Sequence, residues 1–334
     1  MHVSTEVFKI SAPTRLASWW AAVLLWAAAA FPAAGADPVI RPLRPFYIIG
    51  HGANTLGRAA EYLGAGANAL EVDVDVLAGR TNELCIGHGP EIGSGVAARN
   101  HSLPIADFLL ELRQLARTNN LALVYFDCKV PAATPAHGAA LLQDIRQYLI
   151  GAGSNHLDVT ALISVGKLNE KAIFTDIAHE LGPREGLMVD GFSDPMAVSG
   201  FFTAEQVTNQ AFCDGIVPMN PVLSQFLILH TVRKACRLKN QEHHIRFVGT
   251  WSVNNPWYME HYIKIGVDGI VVDRGPVWYN FCLYNWGHGL RSLTKMVRSR
   301  GERLGIRLAT PADNPFAREP RWENRQPINH GLGI

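Results

Sequence analysis

The chain has 334 residues, 48% of them hydrophobic, with 30 basic and 29 acidic side chains. That is ample apolar material for one large buried core and too much for a disordered chain. A balance this close to neutral gives no bulk electrostatic footing for nucleic acid, and none is expected as a partner.

The first 36 residues read as a processing segment. Lys9 and Arg15 precede an uninterrupted apolar run from Trp19 to Phe31, and Ala34-Gly35-Ala36 follows before Asp37-Pro38. This order predicts a secretory signal peptide over residues 1–36 and a secreted, extracellular mature protein. The competing reading is an uncleaved membrane anchor, since the uncharged stretch from Leu16 to Ala36 approaches the ~20 residues a span needs. Without residues 1–36 the chain keeps 28 basic and 28 acidic groups. Nine Lys or Arg against four acids make the stretch from Gly287 to the end locally basic, through either a solvated tail or attraction to anionic lipid. The cysteines Cys85, Cys128, Cys213, Cys236 and Cys282 contain no CxxC pair, which argues against a zinc cluster. Outside the cell they allow at most two disulfides, with no readable pairing.

Along the mature chain, short apolar runs alternate with longer helical patterns. Strands are predicted at Phe46 to Gly50, Ala69 to Val76, Leu121 to Asp127, Thr160 to Val165, Gly186 to Val189, Gly215 to Val217, Ile245 to Val253 and Gly266 to Val272. Helical spacing falls between them, at Ile105 to Arg117, Gly138 to Ile150, Asn169 to Leu181, Ser224 to Leu238 and Trp257 to Ile265. Eight such alternations predict a closed parallel (β/α)8 barrel, an α/β fold of the TIM type. No internal repeat or dividing linker is visible. The Gly-rich loop Gly87 to Gly95 and the polar tail after Ala317 read as flexible. The domain plan is therefore a signal peptide (1–36), a barrel (37–302) and a C-terminal segment (303–334).

The chemical residues cluster at the predicted strand ends. Alternation on a strand points Glu71 and Asp73 one way while Val72 and Val74 point into packing. Asp127, ending the next apolar run, supplies a third carboxylate, and the three together suit Mg2+ as a hard oxygen-bound cofactor. Asp75 shares their face and is a possible fourth ligand or a structural residue. His51 and His88, each followed by glycine, stand beside this cage, as acid and base work on a phosphoester requires.

These motifs carry a resemblance. His51-Gly52-Ala53-Asn54, Gly64-Ala65-Gly66-Ala67-Asn68, Glu71-Val72-Asp73, His88-Gly89 and Phe126-Asp127-Cys128-Lys129 resemble the sphingomyelinase D/phospholipase D family of spider venoms and some bacteria and fungi. Thr250-Trp251-Ser252-Val253 and Gly266-Val267-Asp268-Gly269-Ile270 match its last two strands, and the Ala309 to Phe316 segment (ATPADNPF) its C-terminal barrel plug. The resemblance implies that Glu71, Asp73 and Asp127 bind Mg2+ and that His51 and His88 form the catalytic pair. Lys129 would hold a phosphate oxygen, and Trp251 and Asp273 occupy pocket positions. The substrates implied are choline phospholipids, sphingomyelin and lysophosphatidylcholine, taken by a monomer from a membrane or lipoprotein surface. A hydroxyl of the lipid itself would attack phosphorus, giving a cyclic phosphate and choline.

The chain departs from the family pattern at four places. No cysteine lies between Glu91 and Asn100, Asn254 replaces an Asp, Gly249 replaces an aromatic residue, and Asp273 replaces an Asn. Two alternatives stand beside this reading. A glycerophosphodiester phosphodiesterase would show His-Arg and His-Asp where this chain has His51-Gly52 and His88-Gly89. A non-catalytic lipid-binding barrel leaves five polar groups in one cleft without a purpose.

Overall fold

The computed structural model describes residues 42–77, 80–87, 103–191, 193–215, 221–239, 245–275 and 288–317. All structure below concerns the compact unit Leu43–Ile334. The expected signal peptide, His88, the Gly-rich loop beyond Gly87, Val217, Cys282 and the tail after Ala317 lie outside the described residues.

The strands in chain order are β1 (Arg44–Gly50), β2 (Ala69–Leu77), β3 (Arg80–Ile86), β4 (Leu103–Pro104), β5 (Leu123–Cys128), β6 (Thr160–Val165), β7 (Glu185–Val189), β8 (Gln210–Gly215), β9 (Phe247–Trp251), β10 (Gly269–Val272) and β11 (Ile306–Leu308). Parallel pairing runs β1-β2-β5-β6-β7-β8-β9-β10, and β10 pairs back onto β1 through Ile49↔Val271 and Gly50↔Val272. The sheet therefore closes as an eight-stranded parallel barrel. Helices α1 (Leu56–Gly64), α2 (Ile105–Thr118), α3 (Pro135–Asp144), α4 (Pro195–Ala204), α5 (Pro221–Lys239), α6 (Pro256–Ile265) and α7 (Gly289–Leu304) alternate with the strands. Four begin with proline, and in three of these a described polar cap precedes it: Thr134, Asp194 and Asn255. Proline there supplies a helical φ where no amide is needed, and the cap satisfies an orphan N–H. None of the helices among the described residues is long and apolar enough to cross a membrane.

Alternation along the strands divides the core in two. Leu70, Val72 and Val74 pack outward beneath the helices, while Ala69, Leu123, Tyr125, Leu162, Met188 and Phe247 fill the barrel interior. The lower interior is closed by the C-terminal segment. Ala309 donates to Phe46 O (3.0 Å) and accepts from Asn68 and Asn120 at 2.8 and 2.9 Å. Phe316 enters the interior at Gly186, where a Cβ would stand 2.2 Å from Cζ of its ring. Arg307 braces the turn with both guanidinium nitrogens on Asp313.

Several expectations need correction. The sixth barrel strand, expected at Gly215 to Val217, is described over Gln210–Gly215, with Val217 outside the described residues; its polar start hides it from an apolar scan, yet Gln210 is buried, donating to Val207 O and accepting from Ser199. Asn169 to Leu181 forms a 3-10 turn, Leu168–Phe174, and further turns, held by i to i+3 bonds such as Ile177 N to Phe174 O. The helix expected over Gly138 to Ile150 passes from α-helix into a π turn at Ile145–Ile150. Strands β3 and β4 were not anticipated. They form an antiparallel excursion on β2, so the stretch that leads into His88 is not one of the barrel strands.

Candidate active site

The C-terminal ends of the parallel strands bring Glu71, Asp73 and Asp127 together. Register places Asp73 opposite Asp127 across the β2/β5 ladder, with Glu71 two residues earlier on the same face. Each retains only 4 to 6% exposure, and ligand oxygens of all three lie within 4.8 Å of one another. Asp75 is outside this group and accepts from the amide of Val76 at 2.8 Å.

Three buried carboxylates this close repel one another, and Glu71 and Asp127 hold their protons more tightly for it. Burial, then the charge of Asp73, pushes Glu71 up to about 8, while His51 pulls the other way. Asp127 is likewise raised by burial, against the opposing ammonium of Lys129, which sits on its Oδ2. The other oxygen of Asp127, Oδ1, is buried without a hydrogen-bond partner. Hard oxygen donors, excess negative charge and one unclaimed buried oxygen all fit a divalent cation.

Backbone and amide groups hold one oxygen of Glu71 and one of Asp73. The Gly52 amide donates to Glu71 Oε2. Asn54 clasps Asp73 twice, its Nδ2 donating to Oδ2 at 2.6 Å while its Oδ1 accepts the Asp73 amide at 2.8 Å. An identical clasp forms at the other side of the mouth, where Asn254 Nδ2 donates to Asp273 Oδ2 at 2.6 Å and Asn254 Oδ1 accepts the Asp273 amide at 2.9 Å. Gly289 is required beside it, because a Cβ there would stand 1.9 Å from Asn254 Oδ1.

Asp273 in turn holds His51, Oδ1 to Nδ1 at 2.7 Å. Burial alone lowers the pKa of that imidazole, but the Asp273 hydrogen bond and the charges of Glu71, Asp273 and Asp73 together raise it to about 10. With Nδ1 engaged, Nε2 is left for a reacting group. Trp251, half-buried, donates from Nε1 to Asp190 O at 2.6 Å and lies over Gly215. His88 lies outside the described residues; its neighbour Gly87 donates its amide to Asp73 O at 3.0 Å.

The sequence reading gave no role to Asn54 or to the buried pair Tyr125 and Asp190. Tyr125 rises from the interior face of β5 and its hydroxyl donates to Asp190, whose carboxyl burial pushes up to about 8. Period-two spacing from Asp127 does put Tyr125 on the site face. Nothing local marks Asp190, which stands one residue past β7.

A family model described as dermonecrotic toxin SPH matches residues 41–316, most of the chain and up to the plugging Phe316. The chain belongs to that family. Dermonecrotic toxin SPH proteins are phosphodiesterases of the sphingomyelinase D/phospholipase D type, so this member is an enzyme. Among curated SPH-type relatives, a dermonecrotic toxin of Loxosceles gaucho is 23% identical over 288 residues, covering 82% of this chain and 97% of its own. The dermonecrotic toxin SPH of Ixodes scapularis is 25% identical over 252 residues, covering 69% of this chain and 68% of its own. A solved structure, a putative glycerophosphoryl diester phosphodiesterase of Silicibacter pomeroyi, superposes with a TM-score of 0.50 at 16% identity, over 80% of this chain and 96% of that one. That likeness shows a shared barrel fold.

Proposed function

We propose that this family member is a secreted, Mg2+-dependent phospholipase D that removes choline from sphingomyelin and lysophosphatidylcholine. The observation that carries the reading is one mouth holding a buried carboxylate triad with an unclaimed oxygen beside an imidazole fixed by a carboxylate. Glu71, Asp73 and Asp127 would hold the Mg2+, which supplies charge neutralisation at the non-bridging phosphate oxygens.

The protein's own groups would do the rest. The Lys129 ammonium would turn from Asp127 to a phosphate oxygen as a point charge. A hydroxyl of the bound lipid attacks phosphorus and gives up its proton to one histidine, while the bond to the choline oxygen breaks and the other histidine protonates that oxygen. His51 and His88 take these two places. Asp273 keeps Nδ1 of His51 occupied, so that His51 works through Nε2. Because nucleophile and leaving group belong to one molecule, ring closure to a cyclic phosphate competes well with attack by water. The Trp251 indole supplies an aromatic wall of the kind quaternary ammonium groups favour. Residues 1–36 would serve as the export signal and be removed.

The test is phosphorus NMR of the mature protein with sphingomyelin, lysophosphatidylcholine and glycerophosphocholine, each with Mg2+ and with EDTA. A metal-dependent cyclic phosphate from either lipid is expected. Turnover of glycerophosphocholine alone would transfer the assignment to glycerophosphodiester hydrolysis, and a linear phosphomonoester would make water the acceptor.

A further inference from the structure

Beside the mouth, on the flank of the barrel, lies a second concavity of about 600 Å3. Its floor includes Leu290 and Thr294, and its walls carry four cations, Arg274, Arg291, Lys295 and Arg298. Three of these stand at i, i+4 and i+7 along α7, which places them on one helix face. The face behind them, with Leu290, Leu293 and Val297, is buried against the barrel.

The charges here are unbalanced. A solvated helix face ordinarily intersperses acids with its bases at these spacings. Arg274 has Glu61, and Arg300 on the same helix has Glu260, but among the described residues Arg291, Lys295 and Arg298 have no ion-pair partner. The Thr294 hydroxyl is also buried without a hydrogen-bond partner. Like charges within two helical turns are unfavourable unless something anionic lies among them.

The cavity is also joined to the catalytic apparatus. Arg274 follows Asp273, and its amide donates to the Tyr62 hydroxyl at 3.2 Å, which in turn donates to His51 O at 2.9 Å. The amide of Leu290 donates to Asp273 O at 3.0 Å. An occupant would therefore sit next to the mouth, not at the closed base of the barrel. Its chemistry follows from the lining: negative charge for the three unpaired cations Arg291, Lys295 and Arg298, and an apolar portion for the long aliphatic stems of arginine and lysine. The volume is that of an ordinary small-molecule site.

We propose that this cavity binds the headgroup of an anionic phospholipid in a membrane, distinct from the zwitterionic substrate, and so holds the mouth at the lipid surface. The benefit to catalysis rests on the reading of the protein as a lipid phosphodiesterase, whereas the binding itself does not.

The experiment is co-sedimentation of the mature protein with vesicles of phosphatidylcholine alone and of phosphatidylcholine with phosphatidylglycerol. Two variants accompany the wild type: Arg291→Ser/Lys295→Ser/Arg298→Ser, and a control from the same helix, Arg300→Ser/Arg303→Ser. Phosphatidylglycerol is expected to strengthen wild-type binding about tenfold or more, since each basic group near an anionic surface contributes on the order of a factor of five. The triple variant should lose that gain and the control keep most of it. Turnover of micellar lysophosphatidylcholine should be unchanged in the triple variant. If the triple variant does not fold, Arg291→Ser and Lys295→Ser singly should each lose part of the gain. Equal binding to both vesicles, or equal losses in the triple variant and the control, would overturn the proposal. So would full displacement by millimolar inorganic phosphate at fixed ionic strength, which would mark a site for soluble phosphate. Headgroup-dependent binding by a protein that turns over none of the lipids would leave this site standing while the proposed function fell.

Discussion

His51 Nδ1 and Asp273 Oδ1 meet at 2.7 Å although 222 residues separate them in the chain. Asp273 reaches this place because Asn254 and Ser252 hold its second oxygen, at 2.6 and 3.2 Å. Its carboxylate raises the imidazole pKa, as hydrogen-bond acceptor and as charge. Replacing Asp273 with Asn keeps the shape and removes the charge. The family pattern carries Asn at this position, so turnover should survive the change while the charge that raises the His51 pKa is lost. The His51 titration, followed by NMR in the metal-free protein, should move to lower pH. An unchanged titration would show that Asp273 does not act on His51.

Glu71 gives a prediction in which stability and activity move apart. It is crowded by Asp73 and Asp127 in a buried site, and burial with that charge pushes its pKa up to about 8. Glu71→Gln removes a group that ionises more readily in the unfolded chain than in the fold, and keeps an oxygen that can accept the Gly52 amide. The variant should melt higher than the wild type in EDTA, by about 1 kcal/mol of stability, as relief of buried like-charge strain predicts. With Mg2+ as the proposed ion, added Mg2+ should stabilise the wild type and not the variant, and the variant should lose most of its turnover. A melting temperature in EDTA below the wild type's would refute the picture of a strained triad.

The plug can be tested by a cycle. Phe316 lies where a side chain on Gly186 would have to go. Phe316→Ala should cost about 3 kcal/mol by emptying the lower barrel. Gly186→Ala should cost about 1 to 3 kcal/mol by overpacking. If the two residues compete for one space, Gly186→Ala made in the Phe316→Ala background costs less than it does alone, as urea denaturation would show.

Acid should loosen the same segment. Burial opposes ionisation of Asp313, but bonds from Arg307 and from the amide and hydroxyl of Thr310 outweigh it and hold its pKa below the usual carboxylate range. A depressed folded-state pKa means that this stabilisation is complete above the unfolded-state value near 3.9 and is lost as pH falls through the lower folded value. Asp313→Asn should therefore be less stable than the wild type at pH 7, with the difference shrinking below about pH 4. A difference that stays constant with pH would show that the carboxylate charge is not what matters.

Much of the site was legible because strands impose a period of two. Glu71 and Asp73 could be placed on one face from spacing alone, and the register of β2 with β5 brings Asp127 to them. The barrel was likewise visible in the alternation of apolar runs and helical patterns. What escaped depends on contacts that spacing does not encode. The strand Gln210–Gly215 has polar ends whose burial is satisfied by Ser199 and Val207. The β3/β4 excursion breaks the alternation with a hairpin on β2. The two Asn–Asp clasps join a loop asparagine to a carboxylate on or just past the following strand, and Asp190 gains its place through Tyr125.

The closure of the barrel sets when this protein can act. His51 leaves the end of the first strand, with its amide on Val272 O at 3.1 Å, and Asp273 leaves the end of the last, so both stand on the seam where β1 meets β10. A chain emerging from synthesis, or one threading a membrane unfolded, carries every reactive side chain but lacks the seam that aligns them. Chemical competence thus arrives only with the final strand.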